Sequence, residues 1–285
     1  MVGAGLAGTY VPGMRLVAER ATPARRGAAM GIYIAAFSIG TAASLFMTGG
    51  LLRAGLRVAF LVTALGPLAA AVAAGPLLIE PARRTAGAPL PPVGAVLRNT
   101  RAMRFILAYA AHNWELFGMR TWTPAFLAAA WQAAGRPLQD AAALGAALSG
   151  VTLLGSAASN AAGGWASDRL GRARTIRAVL AASAGCSLAL GWTLPLGVAA
   201  VVAVALLYGV LATGESSTLS AAVAESAAPG TLGRTLAVQS SLGFVVTAIA
   251  PALFGLILDV TGQWGWAFAS LGVAALLGVA VTPRR

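Results

Sequence analysis

The chain has 285 residues, 58% of them hydrophobic and only 10% charged, with a mean hydropathy of +0.80. A soluble domain carries about 25% charged residues, so a water-covered globular fold, a coiled coil and a disordered chain are excluded, and the one cysteine, Cys186, excludes an intrachain disulfide scaffold. The net charge of +12 comes from arginines set in short clusters between apolar runs, which reads as charge at membrane edges rather than as a nucleic-acid face.

A transmembrane helix takes about 20 apolar residues. The first stretch, roughly residues 3–18, is apolar but short, and it ends in Arg15, Glu19 and Arg20. It reads as the inner half of a helix. No basic region precedes it and no cleavage pattern follows, so it is not a signal peptide. Full spans are expected at roughly 27–50, 58–79, 105–130, 142–166, 177–194, 196–221, 235–258 and 264–282. The chain is therefore expected to be an all-α polytopic membrane protein with eight full spans and one partial span, in contact with the lipid bilayer. Residues 80–103 form a polar, proline-rich connection, a semi-rigid linker by composition. It divides the chain into residues 1–79, the linker 80–103, and six helices over 104–285.

Arginines in short loops mark the cytoplasmic side. Placing the loop after the partial helix inside, and alternating, collects Arg15, Arg20, Arg25 and Arg26 there. Arg83, Arg84, Arg98, Arg101 and Arg104 join them, as do Arg169, Arg172, Arg174, Arg177, Arg234, Arg284 and Arg285. Only Arg53, Arg57 and Arg136 fall outside, and Arg120 lies within a span. The C-terminus is expected to be cytoplasmic.

Residues 164–172 read Gly-Trp-Ala-Ser-Asp-Arg-Leu-Gly-Arg. Gly164, Asp168, Arg169, Gly171 and Arg172 resemble the loop signature of the major facilitator superfamily, G-x-x-x-D-R-x-G-R, although the basic residue that follows is displaced from Ala173 to Arg174. In that family the signature lies between helices 2 and 3 and again between helices 8 and 9. The second copy fits a turn between the second and third helices after the linker. Residues 1–8 resemble the glycine-rich start of helix 4, without the arginine that usually precedes it. Residues 57–60 resemble the start of helix 6, and Gly243, Pro251, Gly255, Asp259 and Gly262 resemble helix 11 and its outer turn. The resemblance implies a bundle lacking helices 1–3 that transports a small solute by alternating access in the cytoplasmic membrane, as a monomer. Residues 38–44 lack the Gly-Pro pair of the antiporter signature of helix 5. Uptake and drug or metabolite export both remain open. A truncated, non-transporting membrane protein is the alternative reading, and an upstream open reading frame with three more spans would separate the two.

The resemblance also implies a latch. Asp168 is expected to dock on the start of helix 5, at residues 24–30. That segment offers free backbone N–H groups, the positive charges of Arg25 and Arg26, and little steric resistance at Gly27.

Charges inside a span are costly and usually mark a pathway. The span 105–130 carries His112, Glu115 and Arg120. At about 100° per residue these three, with Tyr109 and Thr123, share one face, and Trp114, Phe117 and Thr121 lie opposite. Arg120 could also snorkel outward, and the lone histidine could be a packing residue. Glu215 sits within Thr213-Gly-Glu-Ser-Ser-Thr218. By the family's numbering Glu115 is on helix 7 and Glu215 on helix 10, both lining a central cavity, with Tyr10 and Arg15 of helix 4 facing them. Buried carboxylates suit a proton relay. No triad, metal cluster or phosphate-cradling loop is present in the sequence, so neither an enzyme nor a metal or cofactor is expected.

Overall fold

The computed structural model describes residues 2–51, 55–75 and 92–284. Arg53, Arg83, Arg84, Arg285 and much of the expected linker lie outside the described residues. Residues 1–38 and 91–285 form one compact unit, and residues 39–90 form another.

The protein is all-α. In the first unit, α1 (Val2–Arg20) leads through a single 3-10 turn (Pro23–Arg25) into α2 (Arg26–Leu51). The second unit holds the later part of α2 and α3 (Leu56–Ala74). Back in the first unit, a short helix, α4 (Val93–Leu97), stands where the linker was expected to end. It is followed by α5 (Thr100–Ala133), α6 (Leu138–Leu170), α7 (Arg172–Leu190), α8 (Val198–Gly214), α9 (Ser216–Ser226), α10 (Leu232–Thr261) and α11 (Trp264–Val281).

Among the described residues, six helices are long and apolar enough to cross a membrane, fewer than the eight full spans expected. Two helices account for the difference. The apolar part of α3, Phe60–Ala73, is short. α5 has 34 residues, ample length at about 1.5 Å each, but its internal charges lower its hydropathy. The expected span 196–221 is interrupted: α8 stops at Gly214 and α9 begins at Ser216, with Glu215 between them.

α5 is the hub of its unit, with α6, α8, α9, α10 and α11 packed against it. Asn99 starts it by accepting the Ala102 N–H at 3.1 Å, and the same side chain donates to the Ser226 carbonyl at 2.7 Å. Pro124 and Pro251 sit inside α5 and α10, as membrane helices tolerate. Trp122 Nε1 donates to the Pro251 carbonyl at 2.9 Å. One apolar core is aromatic: Phe268 meets Phe126 and Phe254 edge-on at 5.1 and 5.0 Å, and Trp122 stacks on Phe254 at 5.2 Å. A second core joins Met14, Phe105, Ile106, Leu180, Leu219 and Leu236. The outer surface is apolar too. Val260 is 77% exposed and Leu277 61%, as a lipid-facing surface allows and a water-facing one does not.

Glycines bring helices into backbone contact around α6. A Cβ on Gly164 would collide with the Gly27 carbonyl of α2, and one on Gly163 with the Gly214 carbonyl of α8. Adjacent glycines thus serve two different neighbours, the small-residue packing expected of membrane helices. Gly185 in α7 meets nothing. Gly164→Ala is therefore expected to lower stability in detergent by about 1–3 kcal/mol through overpacking, with Gly185→Ala close to neutral. Thermal unfolding of the two variants checks this, and equal melting temperatures would contradict it.

Candidate functional site

The turn between α6 and α7 is a single residue, Gly171, whose φ of +90° is strained for any side chain. Asp168, one turn earlier, lies across the start of α2. Its Oδ1 accepts the Gly27 N–H at 2.9 Å and its Oδ2 accepts the Ala28 N–H at 2.8 Å. These N–H groups are among the four that a helix start leaves without internal partners, and the helix dipole favours an anion there.

Arg172 holds the carboxylate from the other side. It donates to Asp168 Oδ1 at 2.5 Å and to Ser167 Oγ at 2.6 Å. Its Nε and Nη2 reach the two oxygens of Glu225 at 3.2 and 2.8 Å. Arg26 approaches Glu225 at 3.8 Å and donates to the Ala18 carbonyl of α1 at 3.1 Å. α1, α2, α6, α7 and α9 are thereby tied together by one set of charge-assisted bonds.

Of the expected motif residues, the structure gathers Gly164, Asp168, Arg172 and Arg26 at this point, with Gly171 making the turn. Arg169 does not join them; its guanidinium lies 3.7 Å over the Trp165 ring. Arg25 is exposed in the turn before α2. Glu225 escaped the sequence reading. Its signal is a carboxylate in the last turn of a helix, where the dipole opposes it and a cation is needed. Asp168→Asn leaves one acceptor oxygen for two N–H groups and removes the charge facing Arg172. A charged hydrogen bond contributes about 1.5–3 kcal/mol, so loss of these bonds should loosen the junction of α2 with α6 and α7. A cysteine at position 38 (Ser38→Cys, with Cys186→Ala) is therefore expected to react at least about tenfold faster with a water-soluble thiol reagent once Asp168→Asn is added. An unchanged rate would contradict this.

Ser38 belongs to the wall of a cavity of about 120 Å3. Tyr10 of α1 and Phe37 of α2 line one side, and Tyr109, His112 and Arg120 of α5 the other. Ser216 of α9 and Phe244 of α10 complete it. Arg120 is mostly buried, with its guanidinium 5.9 Å from the centre of the Phe117 ring, and among the described residues no carboxylate pairs with it.

The cavity-facing arc of α5 differs from the expected one. Its wall includes Tyr109, His112, Asn113, Leu116, Phe117 and Arg120. On the wheel with His112 at zero these lie between about 0° and 140°, so the arc centres near about 70° and Glu115, near about 300°, points elsewhere. Phe117, expected on the apolar side, is part of the wall. Thr123 turns back to bond the Met119 carbonyl at 2.8 Å. Arg15 is not in the wall either: it pairs with Glu19 one turn away at 2.7 Å on an exposed face.

Glu115 is fully buried and accepts from Ser183 Oγ of α7 at 3.1 Å, with the Tyr208 hydroxyl of α8 nearby. Glu215 is also fully buried and lies 2.9 Å from His112 Nδ1. His112 Nε2 meets Ser216 Oγ at 2.7 Å. The other hydroxyls near Glu215 pack helices instead: Ser217 and Thr218 donate to the Asn160 and Gly163 carbonyls of α6 at 2.9 and 3.2 Å. Among the described residues no three of His, Cys, Asp and Glu are gathered as a metal would need.

A family model of the Major Facilitator Superfamily matches residues 1–213 and, overlapping, 128–284. No curated protein sequence matches the chain. Among solved structures, the human organic anion transporter MFSD10 is similar at a TM-score of 0.76 and 20% identity, over 97% of this chain and 68% of that one. At that identity the likeness speaks to the fold. Members of the matched family are transporters, which fits a multi-pass membrane protein with a small, largely aromatic-walled cavity between its helices. Because the two family matches together span residues 1–284, the chain belongs to the Major Facilitator Superfamily.

Proposed function

We propose that this chain acts in secondary transport of a small organic anion across the cytoplasmic membrane, by alternating access to the cavity around Arg120. The observation that carries the reading is the guanidinium of Arg120, mostly buried in an aromatic-walled cavity with no carboxylate beside it among the described residues. A buried charge needs a partner. A carboxylate or sulfonate on a ring or short apolar body would supply that partner, and the aromatic walls would take the rest of the molecule. The similar human protein is an organic anion transporter, which points the same way.

In this reading the Asp168–Arg172–Glu225 set is the cytoplasmic latch. It holds the inner side closed while the carboxylate stays on α2, and opening costs those bonds. The C-terminus lies inside, following the arginine bias. Glu115 and Glu215 are the candidate carriers of a coupling proton. Tyr10, Tyr109 and His112 shape the solute site together with Arg120.

Binding of benzoate to the purified protein tests the anion site. Arg120→Gln should weaken benzoate binding by about 10- to 100-fold, the worth of a charge-assisted hydrogen bond, and Arg120→Lys should restore part of it. Equal affinity in wild type and Arg120→Gln would overturn the anion reading.

A further inference from the structure

Two titratable side chains, His112 and Glu215, meet beside the cavity, and Glu115 stands about one turn from His112 on α5; the geometry gives the three unequal roles. Glu215 and Glu115 are both fully buried, and each keeps one carboxylate oxygen with no hydrogen-bond partner. His112 uses both ring nitrogens, Nδ1 toward Glu215 at 2.9 Å and Nε2 toward Ser216 at 2.7 Å. Of the three, only His112 also lines the cavity.

The other titratable or charged groups nearby are few. α5 itself brings Tyr109 and Arg120, α1 brings Tyr10, α2 brings Tyr33, α8 brings Tyr208, and α7 brings Cys186. The helices α6, α10 and α11 carry no titratable side chain between Asp140 and Asp168, between Arg234 and Asp259, or over residues 264–281. α9 carries only Glu225, which the latch engages. Among the described residues, Arg120 is therefore the only permanent charge on the cavity side of this group.

Charge counting constrains what the group can hold. With both carboxylates ionised and the imidazole neutral, it carries two negative charges in an apolar interior. Two added protons make it neutral, and one leaves it at minus one. Buried net charge is disfavoured, so the step at issue is between these last two states. Arg120 lies eight residues along α5 from His112, about 12 Å away. At an effective dielectric near about 20, a unit charge at that distance changes proton affinity about tenfold. A free Arg120 favours the minus-one state, and an Arg120 neutralised by a bound anion favours the neutral state.

Resting on the anion reading for its physiological partner, we propose that His112, Glu215 and Glu115 form one buried proton-holding unit whose occupancy is set by the charge at Arg120, with His112 as the member that exchanges protons with the cavity. A proton from the cavity adds to His112 Nε2. The Nδ1 proton then passes to Glu215 Oε1, which leaves a neutral imidazole of the other tautomer and a neutral Glu215 carboxyl. The reverse order releases it. Anion and proton binding then reinforce one another, as linkage requires, and the two move together.

His112 is the chain's single histidine, so 15N-histidine labelling gives one imidazole to follow by NMR in the whole protein. In wild type the ring nitrogens should titrate as one coupled transition. Glu115→Gln, which never touches the ring, should lower the His112 midpoint by about one pH unit, and Arg120→Gln should raise it by about the same amount. Ser183→Ala, which keeps the Glu115 carboxylate and removes its donor, should raise it by a smaller step. A His112 midpoint that responds to Glu215→Gln alone would overturn the proposal and leave a simple ion pair. These arms use no ligand. Saturating benzoate should reproduce the Arg120→Gln shift in wild type; benzoate without effect, beside shifts in the variants, would sink the anion reading and leave the three-membered unit standing.

Discussion

Asp168 bridges two backbone N–H groups of α2 while Arg172 grips the same carboxylate, and the arrangement around it follows from this one contact. The contact requires a helix start that can be approached closely, and Gly27 supplies it. It also requires that α6 lie against α2 without side chains between them, and Gly164 supplies that. Arg172 has N–H donors left over once it has met Asp168 and Ser167. Glu225 at the end of α9 accepts from them, and Arg26 in turn approaches Glu225. Five helices are joined through bonds that each depend on the others being made.

The apolar surroundings impose the second constraint. A helix that carries His112, Glu115 and Arg120 can sit in a bilayer only if each charge is answered from within the bundle. His112 and Glu215 answer one another, Glu115 leans on Ser183, and Arg120 is left facing the cavity. That remaining cation is the group the proposed anion would answer. The break between α8 and α9 follows from the same constraint. Glu215 stands at the interruption, and the hydroxyls after it tie α9 to α6 and His112, so the break is held by side-chain bonds on both sides.

Helix positions are legible in the sequence because apolar runs of the right length have few other uses. The Gly164–Arg172 turn is legible for a related reason: arginines alone would serve topology, and the Asp between glycines needs another cause. The face of α5 is less so. The polar residues on a helical wheel span a wide arc, and choosing its centre by including Glu115 places Phe117 on the wrong side. Only the packing of α7 and α8, which offer Ser183 and Tyr208, shows that Glu115 turns into the bundle. Glu225 and the pairing of Glu215 with His112 are tertiary facts, made by residues far apart in the chain, and periodicity carries no trace of them.

Backbone hydrogen exchange at Gly27 and Ala28 measures the Asp168 contact directly. Amides in the first turn of a helix lack internal partners and ordinarily exchange fast. Here they should be protected, because the Asp168 carboxylate accepts both. Protection at these two amides that is lost in Asp168→Asn, with the amides in the middle of α7 and α11 unchanged, is the predicted result. Fast exchange at Gly27 and Ala28 in the wild-type protein, or protection that survives the substitution, would contradict the account.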